Sequence, residues 1–213
     1  MVMDEKKVGT KQKIVHVAMD LFAKKGYTET SIREIAFTVG IKESSIYNHF
    51  ESKGAILDHL LDYYRNAAIN FRAPEETLSR LTQEATTEDI LACLMLSYPP
   101  DEEEYYLKAL TVLFQEQFRN DTVREYIAKD IVQWQEQHVS NILQRLIDSG
   151  ALDENTDVDF WAKLHVSTTY MFYSRYIMGI GEMHPNFKGK GYKAMLKSLY
   201  DTIFRLNGTK TNH

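Results

Sequence analysis

The sequence predicts an all-α fold, on two observations. Almost every segment longer than ten residues sets its apolar side chains at helical spacing, and none alternates apolar and polar residues over a strand's length. Glycines and capping residues then punctuate these segments where helices should begin and end. A chain of 213 residues with 44% hydrophobic and 26% charged residues and only 4 prolines is ordinary globular composition, which excludes a disordered, collagenous or linker-like protein.

The first helix is expected from about Thr10, as N-cap, to Lys25, because Ile14, Val17, Ala18, Leu21 and Phe22 fall at i, i+3, i+4, i+7 and i+8. Gly26 ends it. Thr30 or Ser31 caps the second, with Glu34 three residues after Ser31 completing a capping box and Ile32, Ile35, Ala36 and Val39 forming the apolar face. Gly40 closes it. A short third helix is expected over about 43–49, and Ser52 with Lys53 opens a long fourth one through Leu57, Leu60, Leu61, Tyr64, Ala68 and Phe71.

Pro74 suits a first helical turn, and helices are expected near 74–84, 87–97 and 102–119, with Pro99 and Pro100 separating the last two. Asp101, Glu102, Glu103 and Glu104 then place four carboxylates at a helix N-terminus. The macrodipole favours negative charge there, so the run reads as a helix start, with a metal site as the alternative. Asp121 caps a helix expected to continue unbroken to Ser149 and Gly150, another covers about 156–178 before Gly179 and Gly181, and the last covers about 190–206 before Gly208.

The net charge of −5 argues against bulk coating of nucleic acid, yet it is unevenly spread. Residues 1–58 carry 9 Lys+Arg against 8 Asp+Glu, or +1, and residues 59–213 carry 16 against 22, or −6. The acidity belongs to the larger part.

The informative stretch is residues 28–57, TETSIREIAFTVGIKESSIYNHFESKGAIL. Two short helices around a Val-Gly-Ile turn, with a supporting helix before them, have the pattern of a helix-turn-helix, in which Gly40 permits the sharp turn. Thr30, Ser31, Ile35, Ala36, Gly40, Ile41, Tyr47, His49, Phe50, Ser52 and Lys53 carry a close resemblance to the DNA-binding domain of the TetR family of transcriptional repressors. The resemblance covers about residues 10–60. One departure from the family pattern is Lys42 followed by Glu43, where many members have a serine and then a basic residue.

A helix-turn-helix presents the outward residues of its second helix to base edges, so Lys42, Ser44, Ser45 and Asn48 are the candidates for sequence reading, with Ile46 and Phe50 pointing inward. Tyr47 and His49 have polar tips that reach flanking phosphates, and Lys53 with the backbone N–H groups at the start of its helix forms an anion site. Thr30, Ser31 and Arg33 start the preceding helix, where the same dipole acts on the other side of the groove. The alternative is that Tyr47 and His49 pack beneath the helix and Lys53 is a solvated charge. The expected division is a DNA-binding domain over residues 1–52 and a helical ligand-binding and dimerisation domain over residues 53–213.

Domains of this type bind two-fold operators as dimers, so the rest of the chain should supply a symmetric interface. Phe160, Leu164, Ser167, Thr168, Met171, Phe172 and Arg175 form one stripe and Tyr192, Met195, Leu196, Leu199 and Ile203 another, with intrachain core as the alternative use of both. The resemblance further implies a pocket for a small inducer. Phe114, Trp134, His138, Tyr170 and Tyr173 are its candidates, because aromatic side chains with a few polar tips suit an apolar ligand.

These expectations amount to a repressor whose partners are a double-stranded DNA operator, a small-molecule effector and a second copy of the chain, with no cofactor and no membrane. A helical-bundle enzyme and a ligand-independent DNA-binding protein are the alternatives. Against the enzyme, no Asp or Glu stands three residues before any of the 7 histidines, and phosphate-cradling Gly-rich loops and a Gly-x-Ser-x-Gly elbow are absent from the sequence. The single Cys93 excludes an intramolecular disulfide and any multi-cysteine zinc site, and with no apolar leader segment the cytoplasm is the expected compartment.

Overall fold

The computed structural model describes residues 9–70, 73–82, 84–94, 103–177 and 190–208, and among these no strand occurs. The helices are α1 (Thr10–Lys25), α2 (Ile32–Val39), α3 (Glu43–Ile46), α4 (Lys53–Asn70), α5 (Glu75–Leu78), α6 (Thr87–Leu94), α7 (Glu103–Glu116), α8 (Asp121–Tyr126), a π-helical segment (Ile127–Gln133), α9 (Trp134–Asp148), α10 (Val158–Ile177) and α11 (Lys190–Asn207). None of the described helices is long and apolar enough to cross a membrane.

Contacts divide the chain into two compact units, residues 1–71 with 98–127 and residues 72–97 with 128–213. This grouping follows packing, whereas the boundary at 52/53 follows the motif, so α4 and α7 belong by packing with the helix-turn-helix. In the first unit α1 packs on α2, α4 and α7. Its core is built from Ile14, Ala18, Met19 and Phe22 of α1, Ile56, Leu57 and Leu60 of α4, and Ala109, Val112 and Leu113 of α7. Tyr64 stacks on Tyr106 with ring centroids 4.5 Å apart, and Tyr63 meets Tyr105 edge-on at 4.4 Å, which joins α4 to α7 along an aromatic seam.

In the second unit α9 and α11 pack against α10, and α6 against α9 and α11. The core gathers Ile90, Leu91 and Cys93 from α6, Val139, Ile142, Leu143 and Leu146 from α9, Trp161 and Ala162 from α10, and Leu196, Tyr200 and Ile203 from α11. Polar ties fix its register: Thr87 Oγ1 donates to Asp201 at 2.6 Å, Lys193 pairs with Glu88 at 2.8 Å and Arg145 with Glu75 at 3.0 Å. The Cys93 thiol is buried and 3.7 Å from the carbonyl oxygen of Thr77, and burial pushes its pKa up to about 11.

Several elements differ from expectation. Gly9, not Thr10, is the N-cap of α1, its carbonyl accepting from Gln12 and Lys13. The helix expected over 74–84 is only α5, because Ser79 turns its hydroxyl onto the carbonyl of Glu76 and Thr86 already opens α6 through reciprocal bonds with Asp89. The helix expected unbroken from 121 to 149 contains the π-helical segment, which carries no Gly or Pro to announce it. The α3 helix ends at Ile46, and residues 47–49 form a turn closed by His49 and Phe50 N–H donating to Ile46. The expected Pro99–Pro100 break, the carboxylates of Asp101 and Glu102, Phe71, and the stop at Gly179 and Gly181 lie outside the described residues.

Candidate nucleic-acid interface

The turn between α2 and α3 is built from the backbone outward. Gly40 adopts φ 80 and ψ 32, the left-handed conformation, and its N–H donates to Ala36 and Phe37 while Ile41 N–H donates to Ala36. Lys42 continues in an extended conformation as N-cap of α3. Ile35 and Ile46 are fully buried and Phe50 nearly so, which anchors the inner sides of both helices. The exposed side chains include Ser31, Arg33, Phe37 and Thr38 of α2 and its cap and Lys42, Glu43, Ser44, Tyr47, Asn48 and His49 along α3 and its closing turn, with Ser45 half-buried. Tyr47 is 52% exposed, so it does not pack beneath the helix.

Ser31 accepts from Glu34 N–H at 3.1 Å and is the N-cap of α2. The capping box is not reciprocal, because the Glu34 carboxylate pairs with Lys25 of α1. Two candidate contact residues are engaged elsewhere. Thr30 is 1% exposed and its hydroxyl donates to Gly26 O at 2.9 Å, so it shapes the α1–α2 turn and presents nothing to solvent. Lys53 Nζ donates to the carbonyls of Tyr27, Thr28 and Thr30 at 2.7, 3.3 and 2.8 Å and lies 4.3 Å from the centre of the Tyr27 ring. Three protons meet three carbonyls, which makes the Lys53 side chain a clamp on the turn. Sequence spacing could not show this, since the partners lie more than twenty residues earlier.

The five aromatic pocket candidates divide between the units. Phe114 is buried in the first, on α7. The other four lie half-buried in the second, where α9 and α10 pack together. Trp134 and His138 stack with centroids 5.0 Å apart, His138 Nε2 lies 3.3 Å from the carbonyl oxygen of Cys93, and Tyr173 is 5.7 Å from Tyr192.

Sequence reading missed a buried polar chain beside them. Tyr200 OH is 3.2 Å from His165 Nδ1 and Tyr192 OH is 3.3 Å from Thr169 Oγ1, all four being buried. Burial, then the nearby His138, pushes the His165 pKa down to about 4. The signal was present: His165 and Thr169 stand at i and i+4, one turn on from Trp161, and therefore share its inward face.

The model of the bacterial regulatory proteins of the tetR family matches residues 14–60, from the core of α1 through the turn to the first half of α4. Residues 14–60 are a TetR-family DNA-binding domain. The chain is 34% identical over 95 residues to the probable HTH-type transcriptional regulator YttP of Bacillus subtilis, covering 43% of this chain and 44% of that protein. It is 42% identical over 60 residues to IcaR of Staphylococcus aureus, the HTH-type negative transcriptional regulator of the biofilm operon icaADBC, covering 26% and 32%. The chain thus spans less than half the length of these curated relatives. The ketosteroid transcriptional regulator KstR2 of Mycobacterium tuberculosis has the same fold, with a TM-score of 0.65 over 95% of this chain and 96% of that one at 18% identity.

Proposed function

We propose that the protein is a transcriptional repressor that binds a two-fold DNA operator as a homodimer and releases it on binding a small apolar or amphipathic molecule. The observation that carries this reading is the outer side of α3 and its closing turn, where Lys42, Ser44, Tyr47, Asn48 and His49 are exposed while the inner side is fully packed. Donors and acceptors held on a rigid helix are what base reading in a major groove requires. Lys42, Ser44, Asn48 and, at the edge of that side, Ser45 read bases, and Ser31, Arg33, Tyr47 and His49 contact phosphate.

Residues 1–52 are the reading head in this proposal, and residues 53–213 receive the ligand and the second copy. Support for dimerisation comes from the exposed Phe160 and Met171 of α10 and Leu206 of α11. Support for a ligand comes from the half-buried Trp134, His138, Tyr170 and Tyr173 beside buried hydroxyl and imidazole groups, an apolar lining with a few polar tips. Release by a hundredfold needs the ligand to favour the DNA-incompetent arrangement by about 2.7 kcal/mol. KstR2, the structural relative, is by name a ketosteroid regulator, and a flat apolar molecule of that kind suits an aromatic lining.

The test is selection of duplexes from a random library by the full-length protein. The proposal expects an inverted repeat whose half-sites lie about 34 to 36 Å apart or a near multiple. Asn48→Ala should relax preference at one position of each half-site, at a cost of about 1 to 3 kcal/mol. Enrichment of no sequence would overturn the proposal.

A further inference from the structure

We infer that Glu116 is a positioning residue for the reading head, its buried carboxylate latching the end of α7 to the α1–α2 turn and, through Lys53, holding the start of α2. The consequence for DNA rests on the function proposed above, while the latch itself rests on contacts within the first unit. Glu116 is the last residue of α7 and is 3% exposed, and a glutamate is almost never so buried without a partner. Its Oε1 accepts from Tyr27 N–H at 3.1 Å, across 89 residues of sequence. Gln115 adds a second tie one residue earlier, donating from Nε2 to the carbonyl of Ala23 in α1 at 3.3 Å.

Glu116 and Lys53 meet on Tyr27, the carboxylate accepting from its N–H and the ammonium donating to its carbonyl. Lys53 gives its protons to the carbonyls of the turn; burial lowers its pKa, the nearby carboxylates of Glu116 and then Glu29 oppose that shift, and Lys25 adds to it. Burial raises the Tyr27 hydroxyl pKa, with Asp58 and then Glu116 adding to the effect, which places Tyr27 in the same electrostatic group. Thr30, whose carbonyl Lys53 holds, directly precedes the N-cap Ser31. The start of α2 is therefore tied through two side chains to the end of α7, and α2 carries α3 through the Gly40 turn. A shift of the end of α7 would move the reading head, and loss of the carboxylate would leave the head folded but less well placed.

The experiment measures amide hydrogen exchange at Tyr27 and Thr30 in the free full-length protein, together with affinity for the duplex that the wild type selects. Glu116→Ala should speed exchange at Tyr27 and Thr30 by about tenfold, leave the amides of Leu113 and Ile142 unchanged, and weaken duplex binding by about tenfold. Should that variant not fold, Glu116→Gln carries the test, because it keeps an oxygen that accepts from Tyr27 but removes the charge. It should protect Tyr27 as the wild type does, speed Thr30 and lower affinity severalfold. A Lys53→Met, Glu116→Gln double variant should be no worse than the worse single one, since both belong to one latch. Unchanged exchange at Tyr27 and Thr30 in Glu116→Ala, or additive losses in the double variant, would overturn the inference. If the wild type selects no duplex, the repressor reading falls and the exchange measurements alone decide the latch.

Discussion

Two charged or chargeable side chains, Lys53 and His165, have properties set by their partners. An ammonium whose protons are spent on three carbonyls has none left to donate to a phosphate. Lys53→Met should therefore leave the slope of log affinity against log salt unchanged while destabilising the turn by about 1 kcal/mol. The exposed Arg33 is the contrasting case, and Arg33→Met should lower that slope by about 1. Salt titrations of both variants separate the roles, and the reverse pattern would restore Lys53 to the phosphate contacts. His165 gives a pH signature. Its folded pKa of about 4 lies below the ordinary value of 6.5, so the unfolded chain binds a proton first as pH falls. The stability it contributes is present above pH 6.5 and is lost between there and about pH 4, by about 3 kcal/mol in all. His165→Gln should flatten the pH dependence of the urea midpoint across that window.

At the scale of elements, the two glycines that bracket α2 have different tolerances. Gly40 is left-handed at φ 80 and ψ 32, a region that asparagine enters readily, and a Cβ there would meet nothing within 4 Å. Gly26 has φ 91 and ψ 156, a region essentially closed to other residues. Gly40→Asn should therefore cost under about 1 kcal/mol, and Gly26→Asn about 2 kcal/mol, as measured by urea unfolding. Equal costs would mean that the turn relaxes to accept a side chain. The π-helical segment shows what element-level reading cannot reach. Ile127 and Ile131 are buried at ordinary helical spacing, so the residue types there are indistinguishable from those of a plain α-helix.

For the molecule as a whole, the all-α fold and the TetR-type domain were legible because periodicity, glycine stops and the motif all act over short stretches. Ser31, Gly40, Ile46 and Phe50 have the roles their neighbours imply. Thr30, Lys53 and Glu116 were not legible in full, since each is defined by a partner on another helix or beyond a turn. Tyr192, Leu196 and Ile203, read as part of an interface stripe, are consumed by the core of the second unit, while Met195 and Leu199 beside them stay half-buried. The outer stripe of α10 is the freer surface. Met171→Glu, at a 57% exposed position, should raise the dimer dissociation constant by at least about tenfold and weaken duplex binding without lowering the thermal midpoint. Sedimentation at micromolar concentration checks it, and an unchanged mass would place the interface elsewhere.

The lone thiol also turns the second unit into its own clock. With a pKa of about 11 and almost no exposed surface, Cys93 holds about one thiolate in ten thousand at neutral pH, out of a reagent's reach. An aromatic disulfide reagent should leave the native protein untouched for hours yet react within minutes in urea, so its consumption reports each opening of the core around α6. Ligands that tighten that core should slow the reaction in proportion to their occupancy, giving a direct screen for an effector whose chemistry is not known beforehand. The same inertness lets a second cysteine placed at Ser44 be labelled alone, so that distances between reading heads can be measured in the unaltered fold.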